Sequence, residues 1–326
     1  MTLPHPAVSV LLPVRNGMPY VPRAVESILG QTLDDLELIV VDDGSHDGTS
    51  DYLSLVDDQR LRVLRNMGHG LADALNTGLA AARAPYIARQ DADDWSSPQR
   101  LDEQWRWLRD HPEIDVLATE ALFADADGHP VTNAWTRRVH EQWDAAVTPA
   151  QIGALMPLTC CIFHATIMAR TDALRTAGGY DPAMVPAEDY DLWLRMLPDA
   201  DFARVSQPLY TVRLHGESSS TLRKGDQIAR VLAAKLRYVR RQVPTLPLHP
   251  TLALPCKDRG SEALRRVAPR EGFVTLDGRR RPFVADVIAV TDFGRIEEWE
   301  SRSRAVGGFR QFGNLFVRVG QRQRAA

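Results

Sequence analysis

Tyr86-Ile87-Ala88-Arg89-Gln90-Asp91-Ala92-Asp93-Asp94 begins as a short apolar run and stops at three carboxylates within four residues. The run reads as a buried strand. Carboxylates this close repel one another unless a divalent cation or a hydrogen-bond network compensates them. A strand end is also where open α/β sheets bind ligands. An isolated Asp-x-Asp is more often a solvated turn, so the surrounding chain has to decide.

Working outward, residues 8–14 form a near-continuous β-branched and leucine run, which suits a central parallel strand. Pro19 and Pro22 fit a first helical turn, and residues 24–31 continue as a helix. Residues 36–41 read as a second strand running into the turn cluster 42–49, which also caps the next helix. Residues 61–64 give a third strand, and Leu71, Leu75, Leu79 and Ala82 line one face of a helix. Residues 86–88 are the fourth strand, 98–109 a helix and 114–119 a fifth strand. Strand and helix alternating at this spacing predict βαβ units in a Rossmann-like, mostly parallel sheet flanked by helices. Right-handed crossovers then bring the loops at 13–16, 42–49 and 91–95 to one sheet edge. Further on, 123–131 reads as a hairpin, 159–169 as a strand, 186–197 as a helix and 203–213 as a strand.

Five segments then add up. They are Val8-Ser9-Val10-Leu11-Leu12-Pro13-Val14-Arg15-Asn16-Gly17; Val40-Val41-Asp42-Asp43-Gly44-Ser45 with Asp47-Gly48-Thr49; Asn66 and Gly68 with Ala74-Leu75-Asn76 and Gly78; Gln90-Asp91-Ala92-Asp93-Asp94-Trp95; and Ala187-Glu188-Asp189-Tyr190-Asp191-Leu192-Trp193-Leu194-Arg195. In this order and spacing they resemble a family 2 glycosyltransferase of the GT-A fold, over about residues 7–215. The resemblance implies inverting transfer of a sugar from a nucleoside-diphosphate sugar to the hydroxyl of a glycan or glycolipid acceptor. It implies that Asp43 binds the nucleobase, with Pro13 and Asp42 shaping that pocket. It implies a Mn2+ or Mg2+ ion held through Asp93, with Asp91 close by, and His215 as a ligand from the C-terminal side. Asp189, with Glu188 beside it, matches the position of the general base. His164 matches a recurrent histidine for which packing is the expected role.

Two positions depart from the pattern. Arg15 stands where many relatives carry an aromatic residue, and its guanidinium can stack on a base instead. Leu75 replaces an arginine often seen before Asn76. UDP-, dTDP- and GDP-linked donors therefore all stay open. A non-catalytic nucleotide-sugar-binding module is the alternative reading, against which Asp93 and Asp189 stand. A haloacid-dehalogenase-type phosphatase would need alternating aspartates where Asp42 and Asp43 are adjacent. A sugar-nucleotide pyrophosphorylase would need a Gly-rich, Arg-bearing loop, which 13–17 does not provide.

Charge splits the chain. Residues 1–221 carry 17 basic and 32 acidic residues, and 222–326 carry 22 and 10, so a net −3 conceals −15 and +12. This divides the chain into a catalytic domain at 1–221 and a basic C-terminal extension at 222–326. Residues 226–243 read as an amphipathic helix with Ile228, Leu232, Leu236, Val239 and Val243 in one stripe and Arg230, Arg237, Arg240 and Arg241 around it. Short β-like runs follow at 282–290 and 315–319. The three cysteines, with Cys160 and Cys161 adjacent, fit neither a metal spacing nor a disulfide framework and point to a reducing compartment. The start reads as a short loop rather than a leader. The expectation is a cytoplasmic enzyme whose segment 222–241 offers a peripheral contact to the inner membrane surface, with no nucleic-acid partner.

Overall fold

The computed structural model describes residues 6–144, 146–157, 159–216, 224–242, 264–266, 270–276, 279–290, 309–312 and 315–320. The chain divides into two compact units, residues 1–156 with 160–222, and residues 157–159 with 223–326.

The first unit opens with β1 (Val8–Val14), α1 (Val21–Leu29), β2 (Leu36–Asp42), α2 (Thr49–Leu55), β3 (Leu61–Arg65), α3 (Leu71–Ala81) and β4 (Tyr86–Arg89). β1 is buried along its whole length. Helices cover both faces of such a strand, so alternation disappears and a solid apolar run remains. Val21, Ala24, Val25 and Ile28 recur at helical spacing and pack with Val8, Val10 and Leu12. Truncating Leu12 to Ala in that layer would cost about 2–5 kcal/mol. Gly17 lets the chain turn tightly from β1 into α1, since a Cβ there would sit 2.6 Å from Val14 Cγ2 and 3.0 Å from Val21 Cβ.

β5 (Trp95–Ser96), α4 (Arg100–Asp110), β6 (Val116–Ala124), α5 (Ala134–Asp144), α6 (Pro149–Leu155), β7 (Met168–Arg170), α7 (Thr171–Thr176), α8 (Glu188–Met196) and β8 (Phe202–Arg213) complete the unit. The sheet runs β3-β2-β1-β4-β7-β6-β8-β5. Pairs β3-β2, β2-β1, β1-β4 and β6-β8 are parallel, while β7 and β5 pair antiparallel to their neighbours. Strand order reverses between β1 and β4. The crevice beyond the C-terminal ends of those two strands is where such a sheet binds ligands, and Asp91–Asp94 follow β4 directly into it.

The run 159–169 is not one strand. A 3-10 turn at His164–Thr166 precedes the three-residue β7. The Ile167 carbonyl is taken by Arg89 N at 3.1 Å and by Arg100 Nη2 at 3.1 Å. A short apolar run reports burial, not its secondary structure, and here burial is satisfied without a strand. β6 runs five residues beyond the expected end, its register shifting around Glu120. The hairpin at 123–131 is closed by one bridge, Ala124 to Pro130.

In the second unit, α9 (Lys224–Gln242) is followed by β9 (Leu264–Arg266), β10 (Arg270–Leu276), β11 (Arg279–Val290), β12 (Phe309–Phe312) and β13 (Leu315–Gly320). These strands form an antiparallel sheet, β10-β11-β13-β12, with β9 also on β11. On α9, Arg230, Arg237 and Arg241 are exposed. The side chains of the expected stripe Ile228, Leu232, Leu236 and Val239, that of Arg240, and all of Val243 lie outside the described residues. Among the described residues no helix is long and apolar enough to cross a membrane.

Candidate active site

The loops after β1 and β2 mesh. Asn16 N donates to Ser45 Oγ at 2.9 Å, Met18 N to Asp47 Oδ2 at 2.9 Å, and His46 N to Asn16 Oδ1 at 3.0 Å. Asn16 takes a left-handed conformation, φ 53°, which asparagine tolerates because its short side chain bonds locally. Asp42 accepts from Ser45 N at 2.9 Å and Ser50 Oγ at 2.5 Å. Asp42 therefore caps this turn. Asp43 is oriented instead: Oδ1 accepts from Asn66 Nδ2 at 2.7 Å and Oδ2 from Gly70 N at 3.0 Å. Each carboxylate oxygen keeps a second lone pair. Arg15, largely exposed, comes within 3.9 Å of Asp43 Oδ2. Pro13 sits opposite Val41, one step before this loop.

Beyond β4, Asp93 Oδ2 lies 2.9 Å from His215 Nε2, across 122 residues of sequence. The pair rests on an aromatic support, with the Tyr20 ring 5.0 Å from that of His215. Arg213 fastens the arrangement. Its N–H donates to Asp94 Oδ1 at 2.7 Å and its Nε to the Asp93 carbonyl at 2.9 Å, and its guanidinium lies over Tyr20 and Trp95. Tyr210, in the same strand, accepts from Asp91 N at 3.0 Å. Burial, then the charge of Asp91, pushes the Asp93 carboxyl up against the pull of His215. Asp94 is pushed well up by burial and by Asp93 and Asp91.

Asp91 does not complete a ligand trio with Asp93 and His215. Its Oδ1 accepts from Arg89 Nη2 at 2.6 Å. Among the described residues the one set of three ligand-type atoms within 4.8 Å of one another is Asp125, Asp127 and His129. These residues are largely exposed, and Asp125 Oδ1 is already occupied by the backbone N–H groups of Asp127 and His129 that close the hairpin turn.

Glu188 and Asp189 open α8, where the helix dipole favours acids. Asp191, one turn in, pairs with Arg195 at 2.8 Å and is structural. Glu188 is buried, and among the described residues its Oε2 has no hydrogen-bond partner. Burial and the neighbouring Asp189 push its carboxyl up to about 7. Asp189 accepts from Tyr190 N at 2.7 Å, yet burial still raises its carboxyl. His164 packs against Tyr180 and Trp193, its Nε2 2.9 Å from Tyr180 Oη. Burial, then Arg89, lowers its imidazole well below the usual range.

Sequence reasoning assigned no role to Arg89, Tyr180 or Tyr210, and none to Arg100, which is fully buried and bonds the carbonyls of Arg89, Ala165 and Ile167. One signal was present. Arg89 is a charged residue inside a run read as buried, and fully buried arginines are rare unless paired.

Residues 9–174 match the family described as Glycosyl transferase family 2, and the chain belongs to that family. It is 34% identical over 217 residues to the putative glycosyltransferase EpsE of Bacillus subtilis, covering 64% of this chain and 73% of that one. It is 28% identical over 217 residues to the chondroitin synthase of Escherichia coli, covering 66% of this chain but only 30% of the synthase. The mannosyltransferase PcManGT of Pyrobaculum calidifontis, solved with GDP-Man and Mn2+, superposes with a TM-score of 0.55 at 20% identity, over 71% of this chain and 64% of that one. The fold of the first unit is GT-A.

Proposed function

We propose that this chain transfers a sugar, with inversion, from a nucleoside-diphosphate sugar to a hydroxyl of a glycan or glycolipid. The observation that carries this reading is the pairing of Asp93 with His215 at the switch point of the sheet, which leaves carboxylate charge there without full compensation. In this reading Asp43, held by Asn66 and Gly70, takes the nucleobase N–H, with Pro13 and Arg15 as its walls. A carboxylate and an imidazole suit Mn2+ or Mg2+, with Asp91 in the surrounding shell. Such an ion would neutralise the diphosphate as it leaves. Asp189 takes the proton of the acceptor hydroxyl, whose oxygen bonds to the anomeric carbon. The bond from that carbon to the phosphate oxygen breaks, and its electron pair leaves with the nucleoside diphosphate. One displacement with one base gives inversion. Glu188, beside Asp189, is the second acid of the pair.

A glycan acceptor is supported by the likeness to a chondroitin synthase. In this reading 1–221 is the catalytic domain and 222–326 an extension. Contact of 222–241 with an anionic membrane surface is supported by the exposed Arg230, Arg237 and Arg241. A thermal-shift series with UDP, dTDP and GDP, with and without Mn2+, tests the core of the proposal. One nucleotide should raise the melting temperature only with the metal, and the matching sugar nucleotide should be hydrolysed slowly and stop on chelation. No shift with any nucleotide, or hydrolysis indifferent to chelator, overturns it.

A further inference from the structure

Arg89 ends β4 two residues before Asp91, and its charge is almost wholly buried, 2% exposed. Burying a guanidinium is costly unless it is paired. One arm is paired: Nη2 donates to Asp91 Oδ1 at 2.6 Å. Nη1 donates to the Gln90 carbonyl. Among the described residues Nε is buried with no partner, as is Oε2 of Glu188. Of the other buried cations here, Arg100 is spent on backbone carbonyls and on Gln90, Ser96 and Gln104, and Arg213 on the carbonyls of Asp93 and Ala126, none of them acid side chains. Arg195 is committed to Asp191 and to the carbonyls of Ala177 and Gly179. Arg89 is therefore a buried cation with a direct ion pair to Asp91 and a charge that also acts on the acids of α8. It favours the ionised forms of Glu188 and Asp189, while Asp91 opposes them.

We infer that Arg89 is a positioning residue of the transfer site, a buried cation that keeps Asp91 from joining the Asp93–His215 pair and supplies the positive charge behind Glu188 and Asp189. This rests on the glycosyltransfer reading above. Two consequences separate it from a packing role. Without the guanidinium, Asp91 gains a free oxygen that can turn toward a cation, so metal–nucleotide binding survives. The acids on α8 lose their compensating charge, so turnover falls. A merely structural arginine would lower both together.

The test uses the full chain with Arg89→Met and Arg89→Lys. Affinity is read with Mn2+ plus UDP, dTDP or GDP, and turnover as hydrolysis of the corresponding hexose donors. Arg89→Met should lose about a hundred-fold in kcat with nucleotide Kd within about three-fold, and Arg89→Lys, which keeps the charge but not the fork, about ten-fold. If Arg89→Met does not fold, Arg89→Lys decides alone by the same split. Parallel losses of affinity and turnover, or unchanged kcat, overturn the inference while leaving an active wild type. A wild type that neither binds nor hydrolyses any of these donors overturns the parent reading and this one together.

Discussion

The two ends of the central sheet treat buried acid in opposite ways. At the N-terminal ends of β1 and β2, Glu37 is buried yet fully served: Ser9 Oγ at 2.6 Å, Arg83 N at 2.8 Å, Arg62 Nη1 at 2.6 Å and Arg83 Nη2 at 2.8 Å. Burial would raise its carboxyl, but these donors win and hold it below the usual range. At the C-terminal ends, Asp93, Asp94, Glu188 and Asp189 all lie above their ordinary values, with burial the largest cause for each. Residue type is the same; the supply of donors differs. An acid whose demand is met inside the protein stabilises the fold. An acid whose demand is left open is poised for something from outside, in the proposed function a cation or an acceptor proton. The loop after β2 sides with the scaffold, since hydrogen bonds from Ser50 and Ser45 outweigh burial at Asp42 and lower it.

The contrast breaks most sharply at Asp93. Asp93→Ala should abolish Mn2+-dependent nucleotide binding and cut donor turnover by roughly a thousand-fold, on the several kcal/mol that Lewis-acid assistance supplies, with the melting temperature unmoved. Turnover that persists in chelator would remove the cation from the argument. Next comes Asp189→Asn, expected to lower kcat by roughly a hundred-fold or more and to leave donor Kd within a few-fold. An unchanged kcat would move the base to Glu188.

Glu37→Ala is the mirror experiment. It strands Arg62, Arg83 and Ser9, and should cost about 3 kcal/mol of stability with donor turnover unaltered at a permissive temperature. Loss of turnover without loss of stability would erase the distinction between the two ends. A pH scan sharpens it further. Glu188 rises from 4.5 to about 7, so the folded chain keeps a proton that the unfolded chain releases in between. Its contribution is full below about 4.5 and is lost as pH rises through about 7, an effect of about 3 kcal/mol at most. Glu188→Gln should flatten the melting-temperature profile across that window; a profile identical to wild type would show that the proton is not held there. The smallest effect concerns α9. Cosedimentation with anionic vesicles should appear at low salt and vanish at high salt, at roughly 1 kcal/mol per basic residue, and removal of 222–326 should abolish it. Protein left in the supernatant at low salt would end the membrane reading.

The order of βα units and the edge at which their loops meet were legible because both depend on local signals. Solid apolar runs mark strands buried on both faces, Gly and Asp clusters mark turns, and period-3.6 stripes mark α1 and α3. Motif order put Asp43 after a strand, Asp93 after another and Glu188 and Asp189 at a helix start, and they lie after β2, after β4 and at the start of α8. His164, for which packing was the expectation, lies against Tyr180 and Trp193.

Tertiary structure alone decided which of these acids are compensated. Asp93 meets His215 across 122 residues, Asp91 meets Tyr210 across 119, and Arg100 reaches Ala165 and Ile167 across 65 and 67. Partners so distant leave no periodicity in the chain, because they are brought together by the β4-β7-β6-β8 pairing and not by neighbouring residues. The run 159–169 likewise became a 3-10 turn plus a three-residue strand, because only Met168–Arg170 meet β4 in register. The amino-acid sequence determined that carboxylates gather at the switch point of the sheet. Whether each was fed by a donor or left open depended on which long-range hydrogen bonds the folded chain could complete.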